Sequence, residues 1–193
     1  MRTIDAFRQV VAAHDITTVV AADMTGYWHE TCRQYGYIPG PLTTGGATRW
    51  QSVKNGLEHL GSIPSDTIVL VHDAARPLVS RQIIEDVVNA IENGAHGAVP
   101  VVEPADSFRV VTPHGNQPFS RDALRAVQTP QAFRAEVLQQ AFRLPYSPTF
   151  TDEATMVQQA GYADIALTQG SERNFKITRP IDLLIASQLI EHA

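Results

Sequence analysis

The spacing of apolar residues along the chain switches between a helical and a strand period. Ile4 to Ala13 has helical spacing. Ile16 to Ala22 reads as a strand, with the β-branched run Thr17-Thr18-Val19-Val20, and Asp23 follows it. Tyr27 to Tyr35 reads as a helix that Gly36 ends. Thr43-Thr44 forms a short strand running into Gly45-Gly46. Trp50 to Leu60 is a helix with Val53, Leu57 and Leu60 on one face and Thr48 as its N-cap. The apolar run Thr67-Ile68-Val69-Leu70-Val71 predicts a buried parallel strand. Ser80 caps a helix carrying Ile83, Ile84, Val87, Val88 and Ile91, and Gly97-Ala98-Val99-Pro100-Val101 is another strand. Strand, helix, strand, helix, strand predicts an α/β fold, a doubly wound and mostly parallel sheet in a single domain over 1–193.

After Val102 the rhythm changes. Ser107-Phe108-Arg109-Val110-Val111 and Gln117-Pro118-Phe119 flank Thr112-Pro113-His114-Gly115-Asn116, which predicts a β-hairpin arm over about 103–121. Helices are expected over Ala132 to Phe142 and Asp152 to Ala160, and a late strand at Ile165-Ala166-Leu167. Pro180 suits the first turn of a final helix through Ile190.

Composition narrows the function classes. The 193 residues are 44% hydrophobic and 18% charged, with a net charge of -5, so a packed core is expected. No basic block is present, which argues against nucleic-acid binding, while a local cluster of cations can still hold an anionic small molecule. The single cysteine, Cys32, excludes an intrachain disulfide and fits a cytoplasmic setting. No apolar run reaches transmembrane length. The seven histidines lack metal-ligand spacing. No G-x-G-x-x-G run follows a strand, which counts against a dinucleotide-binding oxidoreductase.

Chemistry gathers at the end of the Thr67–Val71 strand, where His72-Asp73-Ala74-Ala75-Arg76-Pro77 follows at once. Ligands of open α/β sheets collect past the carboxyl ends of strands. There an acid can hold a metal or a hydroxyl, two alanines admit a ligand to the backbone, and an arginine can hold a phosphate. Gly45-Gly46-Ala47-Thr48-Arg49-Trp50-Gln51-Ser52-Val53 is a glycine turn opening a helix, a setting that favours anions and polar ligand edges. Arg121 to Gln131, with Gln128-Thr129-Pro130-Gln131, places an arginine and a threonine after the hairpin. Thr151-Asp152-Glu153-Ala154 is a capping sequence, and Asn174-Phe175-Lys176-Ile177-Thr178-Arg179-Pro180 puts a lysine on a short strand before a helix. Taken singly, these stretches read as turns, caps and surface charge.

Together and in this order, from about Gly45 to the C-terminus, they resemble the 2-C-methyl-D-erythritol 4-phosphate cytidylyltransferase family. The resemblance implies transfer of CMP from CTP to 2-C-methyl-D-erythritol 4-phosphate, with pyrophosphate leaving and Mg²⁺ assisting. It implies that Gly45, Gly46 and Ser52 contact the cytosine side of CTP. Asp73 and Ala74 would lie by the ribose, the metal or the second substrate, Asp73 being the candidate metal ligand. Arg76 and Lys176 would hold the acceptor phosphate, with Thr151 lining its pocket. Family members are dimers whose arms cross over, so Arg121 and Thr129 would come from the partner subunit, with Arg121 and Lys176 orienting the nucleophilic phosphate.

Three departures stand out. Ala47 occupies a position that is often acidic in the family, and Asp106-Ser107-Phe108-Arg109 stands for Asp-Thr-x-Lys at the arm. The family's opening strand and glycine-rich phosphate loop have no counterpart here, Met1 falling where its first helix is under way. The chain therefore reads as N-terminally truncated, with unpaired strand edges beside the missing strand and little turnover by itself. A ribitol 5-phosphate cytidylyltransferase and a catalytically dead ligand-binding remnant stand as alternatives.

Overall fold

The computed structural model describes residues 1–191; the single-domain expectation over 1–193 also takes in His192 and Ala193, which lie outside the described residues. Among the described residues, seven helices and nine strands alternate in the order that the hydrophobic pattern predicts for most of the chain. Helix α1 (Arg2–Phe7) precedes β1 (Thr18–Val20), α2 (Thr25–Gln34), β2 (Leu42–Thr44) and α3 (Arg49–His59). Then come β3 (Ile68–Val71), α4 (Arg81–Glu92), β4 (Gly97–Val102) and the arm strands β5 (Phe108–Thr112) and β6 (Gly115–Phe119). The chain closes with β7 (Ala126–Val127), β8 (Gln131–Arg134), α5 (Ala135–Ala141), α6 (Glu153–Gln159), β9 (Ile165–Gln169) and α7 (Pro180–Glu191).

The expected caps form. Thr48 accepts a hydrogen bond from the Gln51 N–H and Ser80 from the Ile83 N–H. Gly36, at a φ of 59°, follows α2 in the left-handed conformation that favours glycine. Helix α1 is shorter than its apolar spacing predicts: Val10 N–H bonds the Phe7 carbonyl at 2.9 Å and the chain then turns toward β1.

The α/β class holds, and the sheet is mixed rather than mostly parallel. Strands β3, β8, β4 and β7 follow one another across the main sheet, with β9 on β4. Only β9 runs parallel to β4; β8 runs antiparallel to both β3 and β4. The reason is the arm. The chain leaves β4, makes the hairpin, and returns as β7 and β8 against the strands it came from. Gln131–Arg134 therefore forms a strand, and the helix expected from Ala132 begins only at Ala135, because Ala132 and Phe133 are buried between two ladders. Tertiary pairing outweighs local propensity here.

Helices cover both faces. Phe133, Val99, Leu138, Met156 and Val157 pack with Leu57 of α3 on one side. Val87 and Ile91 of α4 pack on Ala98 and Ala132 on the other, and Phe7 of α1 packs on Val79, Ile83 and Ile84. Strands β1 and β2 pair in parallel as a separate two-stranded sheet. Among the described residues, β1 pairs only with β2 and β3 only with β8, so each has one edge without a strand partner. The Thr67–Val71 run is thus half-buried and antiparallel, not a buried parallel strand. Helix α3 adjoins both units: Gly56 lies against Val19, while Leu57 belongs to the core cluster against which Val69 and Val71 of β3 also pack.

Gly97 sits where β4 crosses β8 and β9, and a Cβ there would lie 2.6 Å from Phe133 Cε1 and 2.7 Å from Ile165 Cδ1. Gly97→Val should cost about 1–3 kcal/mol by overpacking. Urea unfolding of the two proteins measures it.

Candidate active site

The loop after β3 collects charge. Arg76 N–H donates to the Asp73 carbonyl at 3.0 Å, so His72 to Arg76 form a tight turn at the strand's carboxyl end. Three cations converge on the Asp73 carboxylate. Arg76 Nε donates to Oδ2 at 3.2 Å, Lys176 Nζ lies 3.3 Å from the same oxygen, and Arg49 Nε lies 3.6 Å from Oδ1. Burial works to raise the Asp73 carboxyl, but the charges of Lys176, Arg49 and Arg76 outweigh it and hold it below the usual carboxylate range.

The turn is anchored from beneath. Asp73 N–H donates to Thr129 Oγ1 at 3.0 Å. Thr129 Oγ1 lies 3.0 Å from His72 Nδ1, and His72 Nε2 lies 3.2 Å from the Arg76 carbonyl. Burial pushes the His72 imidazole down to about 4, so the ring is neutral at pH 7. A neutral ring carries one proton. The carbonyl can only accept, so Nε2 donates to it and Nδ1 accepts from the Thr129 hydroxyl.

A second anchor places the lysine. Asn174 is fully buried; its Nδ2 donates to Gln128 Oε1 at 3.1 Å and to the Thr129 carbonyl at 2.9 Å. Its own carbonyl accepts from Arg76 Nη1 at 2.8 Å. Just beyond Lys176, the Ile177 N–H donates to the Ala75 carbonyl at 2.8 Å. This segment was expected as a short strand and is instead a 3₁₀ turn, Glu172–Asn174, leading through irregular chain to α7. Its hydrogen bonds go to side chains and to the Asp73 loop rather than to a ladder.

A third connection runs through α6. Arg49 Nη1 and Nη2 donate to Glu153 Oε1 and Oε2 at 2.6 and 2.7 Å. Burial raises the Glu153 carboxyl against the opposing pull of Arg49. Burial likewise works to lower the Arg49 guanidinium, and the Glu153 hydrogen bonds outweigh it and raise it. Gln131, also buried, donates to Asp152 Oδ2 at 2.9 Å and accepts from the Ala154 N–H at 3.0 Å. Thr151 stands exposed just before this cap, its Oγ1 3.4 Å from Thr155 Oγ1.

The glycine turn lies on the start of α3. Gly46 N–H donates to Ser52 Oγ at 3.1 Å, and that hydroxyl donates to the Thr48 carbonyl at 3.0 Å. A Cβ at Gly45 would meet Ser52 Oγ at 2.8 Å, and one at Gly46 would meet Gln51 Cγ at 2.0 Å, so side chains are excluded there.

Asp73, Arg76 and Lys176 thus meet directly, while Ala74 and Thr129 belong to the same turn and its anchor. Gly45, Gly46 and Ser52 open the helix that carries Arg49 to Asp73. Arg121 stands apart: its Nη1 donates to the Ala105 carbonyl at the base of the arm. Thr129 does not accompany it on the arm, contrary to expectation. The chain has already returned to the sheet through β7, and Thr129 is buried and bonded within its own subunit. Arg49, Glu153, His72, Gln128, Gln131 and Asn174 escaped sequence reasoning. Arg49 and Glu153 stand inside the recurring blocks, but beside a helix start each reads as a solvated charge.

The family model described as IspD, 2-C-methyl-D-erythritol 4-phosphate cytidylyltransferase, matches residues 1–192. The chain belongs to this cytidylyltransferase family. A relative of that name from Phocaeicola vulgatus is 35% identical over 191 residues, covering 98% of this chain and 85% of the relative. One from Porphyromonas gingivalis is 37% identical over 192 residues, covering 98% and 83%. The crystal structure of the cytidylyltransferase from Thermus thermophilus superposes with a TM-score of 0.76 at 33% identity, covering 97% of this chain and 86% of that one.

Among the described residues no three His, Cys, Asp or Glu side chains group as a metal site, and no helix is long and apolar enough to cross a membrane.

The His72 network has a pH signature. The folded value, about 4, lies below the ordinary 6.5, so between these the unfolded chain binds the extra proton and acid favours unfolding. Moving from pH 7 to pH 5 should remove about 2 kcal/mol through this group. His72→Asn should lose correspondingly less over the same interval, compared by urea unfolding at both pH values.

Proposed function

We propose that this cytidylyltransferase moves CMP from CTP to 2-C-methyl-D-erythritol 4-phosphate. The products are 4-diphosphocytidyl-2-C-methyl-D-erythritol, an isoprenoid precursor, and pyrophosphate. The observation that carries the reading is the gathering of Arg76, Lys176 and Arg49 on Asp73 at the carboxyl end of β3. An oxygen of the acceptor phosphate attacks the α-phosphorus of CTP. The new P–O bond forms as the bond to the bridging oxygen breaks, and its electron pair leaves on pyrophosphate. Such a transfer needs alignment and charge neutralisation more than covalent catalysis.

Arg76 and Lys176 grip the acceptor phosphate, a forked guanidinium beside a point charge. Asp73 stands between the two, with Oδ2 within 3.3 Å of both. Thr151 lines the acceptor side, Ala74 admits the ligand to the backbone, and the Gly45-Gly46 turn on Ser52 faces the cytosine. Mg²⁺ fits a site of this kind, since it binds through one or two carboxylates together with substrate phosphates. Asp73 would be the carboxylate to hold it, and the ion would supply charge neutralisation on the triphosphate.

The arm supports a homodimer with a shared site. All ten residues of β5 and β6 are exposed, among them Phe108, Val110, Val111 and Phe119. An arm bearing exposed apolar groups on a two-stranded ribbon fits a second copy, whose Arg121 would then complete the cation cluster. The substrates are water-soluble phosphates, in keeping with a cytoplasmic enzyme.

Pyrophosphate release from CTP and Mg²⁺ with methylerythritol phosphate tests the reaction, with ribitol 5-phosphate assayed alongside. Preference for ribitol 5-phosphate would replace the acceptor, and CTP binding without turnover of either would favour a binding remnant. Lys176→Ala should weaken acceptor use at least tenfold while CTP affinity changes little, the loss of one charge-assisted contact to phosphate. Mixing the Arg121→Ala and Lys176→Ala proteins should restore roughly a quarter of wild-type turnover if sites are shared across the dimer. No recovery would place Arg121 outside the site.

A further inference from the structure

One ion pair beside the site joins a buried carboxylate to a partly exposed cation. Glu153 is only 2% exposed, yet it carries a carboxylate that accepts from both terminal nitrogens of Arg49. Both oxygens act as acceptors, which is the ionised form. Burying the Glu153 charge is costly, while the Arg49 side chain facing it is 37% exposed, and an apolar residue in place of Glu153 would avoid that cost. Simple stability therefore does not explain the choice.

The third nitrogen of the same guanidinium gives the reason. With Nη1 and Nη2 fixed on Glu153, Nε is left 3.6 Å from Asp73 Oδ1. Asp73 Oδ2 is already shared by Arg76 and Lys176. A carboxylate gripped at one oxygen alone can still rotate about its Cβ–Cγ bond. A fixed cation facing the second oxygen sets that torsion. Arg49 is planar and rigid at its head, and its forked contact holds the plane still. Glu153 in turn is set by its place at the first turn of α6, whose cap Asp152 is tied to Gln131 of β8.

We propose that Arg49 is a positioning residue, clamped by Glu153, that sets the orientation of the Asp73 carboxylate and thereby the placement of Arg76 and Lys176. The role rests on the cytidylyltransferase reading above. It links the Thr151-Asp152-Glu153 loop on the acceptor side to the turn after β3. Arg49 touches no reacting atom in this role.

The test compares the wild-type protein with Arg49→Met, Arg49→Lys and the double variant Arg49→Met/Glu153→Met. Three readouts are taken on each: thermal unfolding, pyrophosphate release under saturating CTP and acceptor, and the crystal structure of the Asp73 loop. Arg49→Met alone leaves Glu153 buried without its partner and should lower the melting temperature. The double variant removes both charges and should recover it. Turnover in the double variant should nevertheless stay at least tenfold below wild type, with the Asp73 carboxylate rotated from its wild-type plane. Arg49→Lys keeps the charge and loses the fork, so kcat should fall with little change in CTP KM.

Recovery of turnover together with melting temperature in the double variant would show a purely structural pair and overturn the proposal. So would an Asp73 carboxylate unmoved in that variant. If the wild-type chain releases no pyrophosphate with any acceptor, the functional reading fails by itself. The Asp73 orientation in the double variant then decides the positioning role.

Discussion

The Asp73 carboxylate holds together three cations that would otherwise repel one another. Arg49, Arg76 and Lys176 come from α3, the turn after β3, and the segment before α7. Without an anion between them, like charges this close would drive those segments apart. With it, the three segments are held around one anion. The low-lying Asp73 carboxyl is the electrostatic trace of that arrangement.

That carboxylate depends on a polar framework buried beneath it. Gln128, Thr129, Gln131 and Asn174 are buried polar side chains, and each hydrogen-bonds a segment that carries a site residue. Such groups are costly to bury unless satisfied, and once satisfied they leave few alternative arrangements. Three of them fall between β7 and the start of β8, where the chain returns from the arm. The same return forces β8 to run against β3 and β4. One topological event therefore makes the sheet mixed and delivers the anchors of the active loop. The neutral His72 closes the framework, because only its uncharged form both donates to the Arg76 carbonyl and accepts from Thr129.

Helix α3 has a corresponding role beside the glycine turn. It lies against β1 and shares a core cluster with β3, two strands that share no ladder with each other. Its first turn receives the glycine turn through Ser52, and its first residue, Arg49, reaches Asp73. The proposed cytosine and acceptor sides are thus joined by one rigid element.

Local chemistry was legible in the amino-acid sequence. The caps at Thr48 and Ser80, the arm with its exposed turn, and the polar break after Val71 all formed where the pattern put them. Each depends on neighbours within a few residues, so short-range periodicity and capping rules suffice. The ordered blocks also brought the right family into view. Tertiary structure alone decided the rest. It turned 132–134 from the start of an expected helix into a strand between two ladders, and it moved Thr129 from an expected arm position to an internal anchor. It also paired Arg49 with Glu153 across more than a hundred residues of chain. Such partners are chosen by burial and by the need to satisfy every buried polar group, and both are properties of the packed molecule rather than of any stretch of sequence.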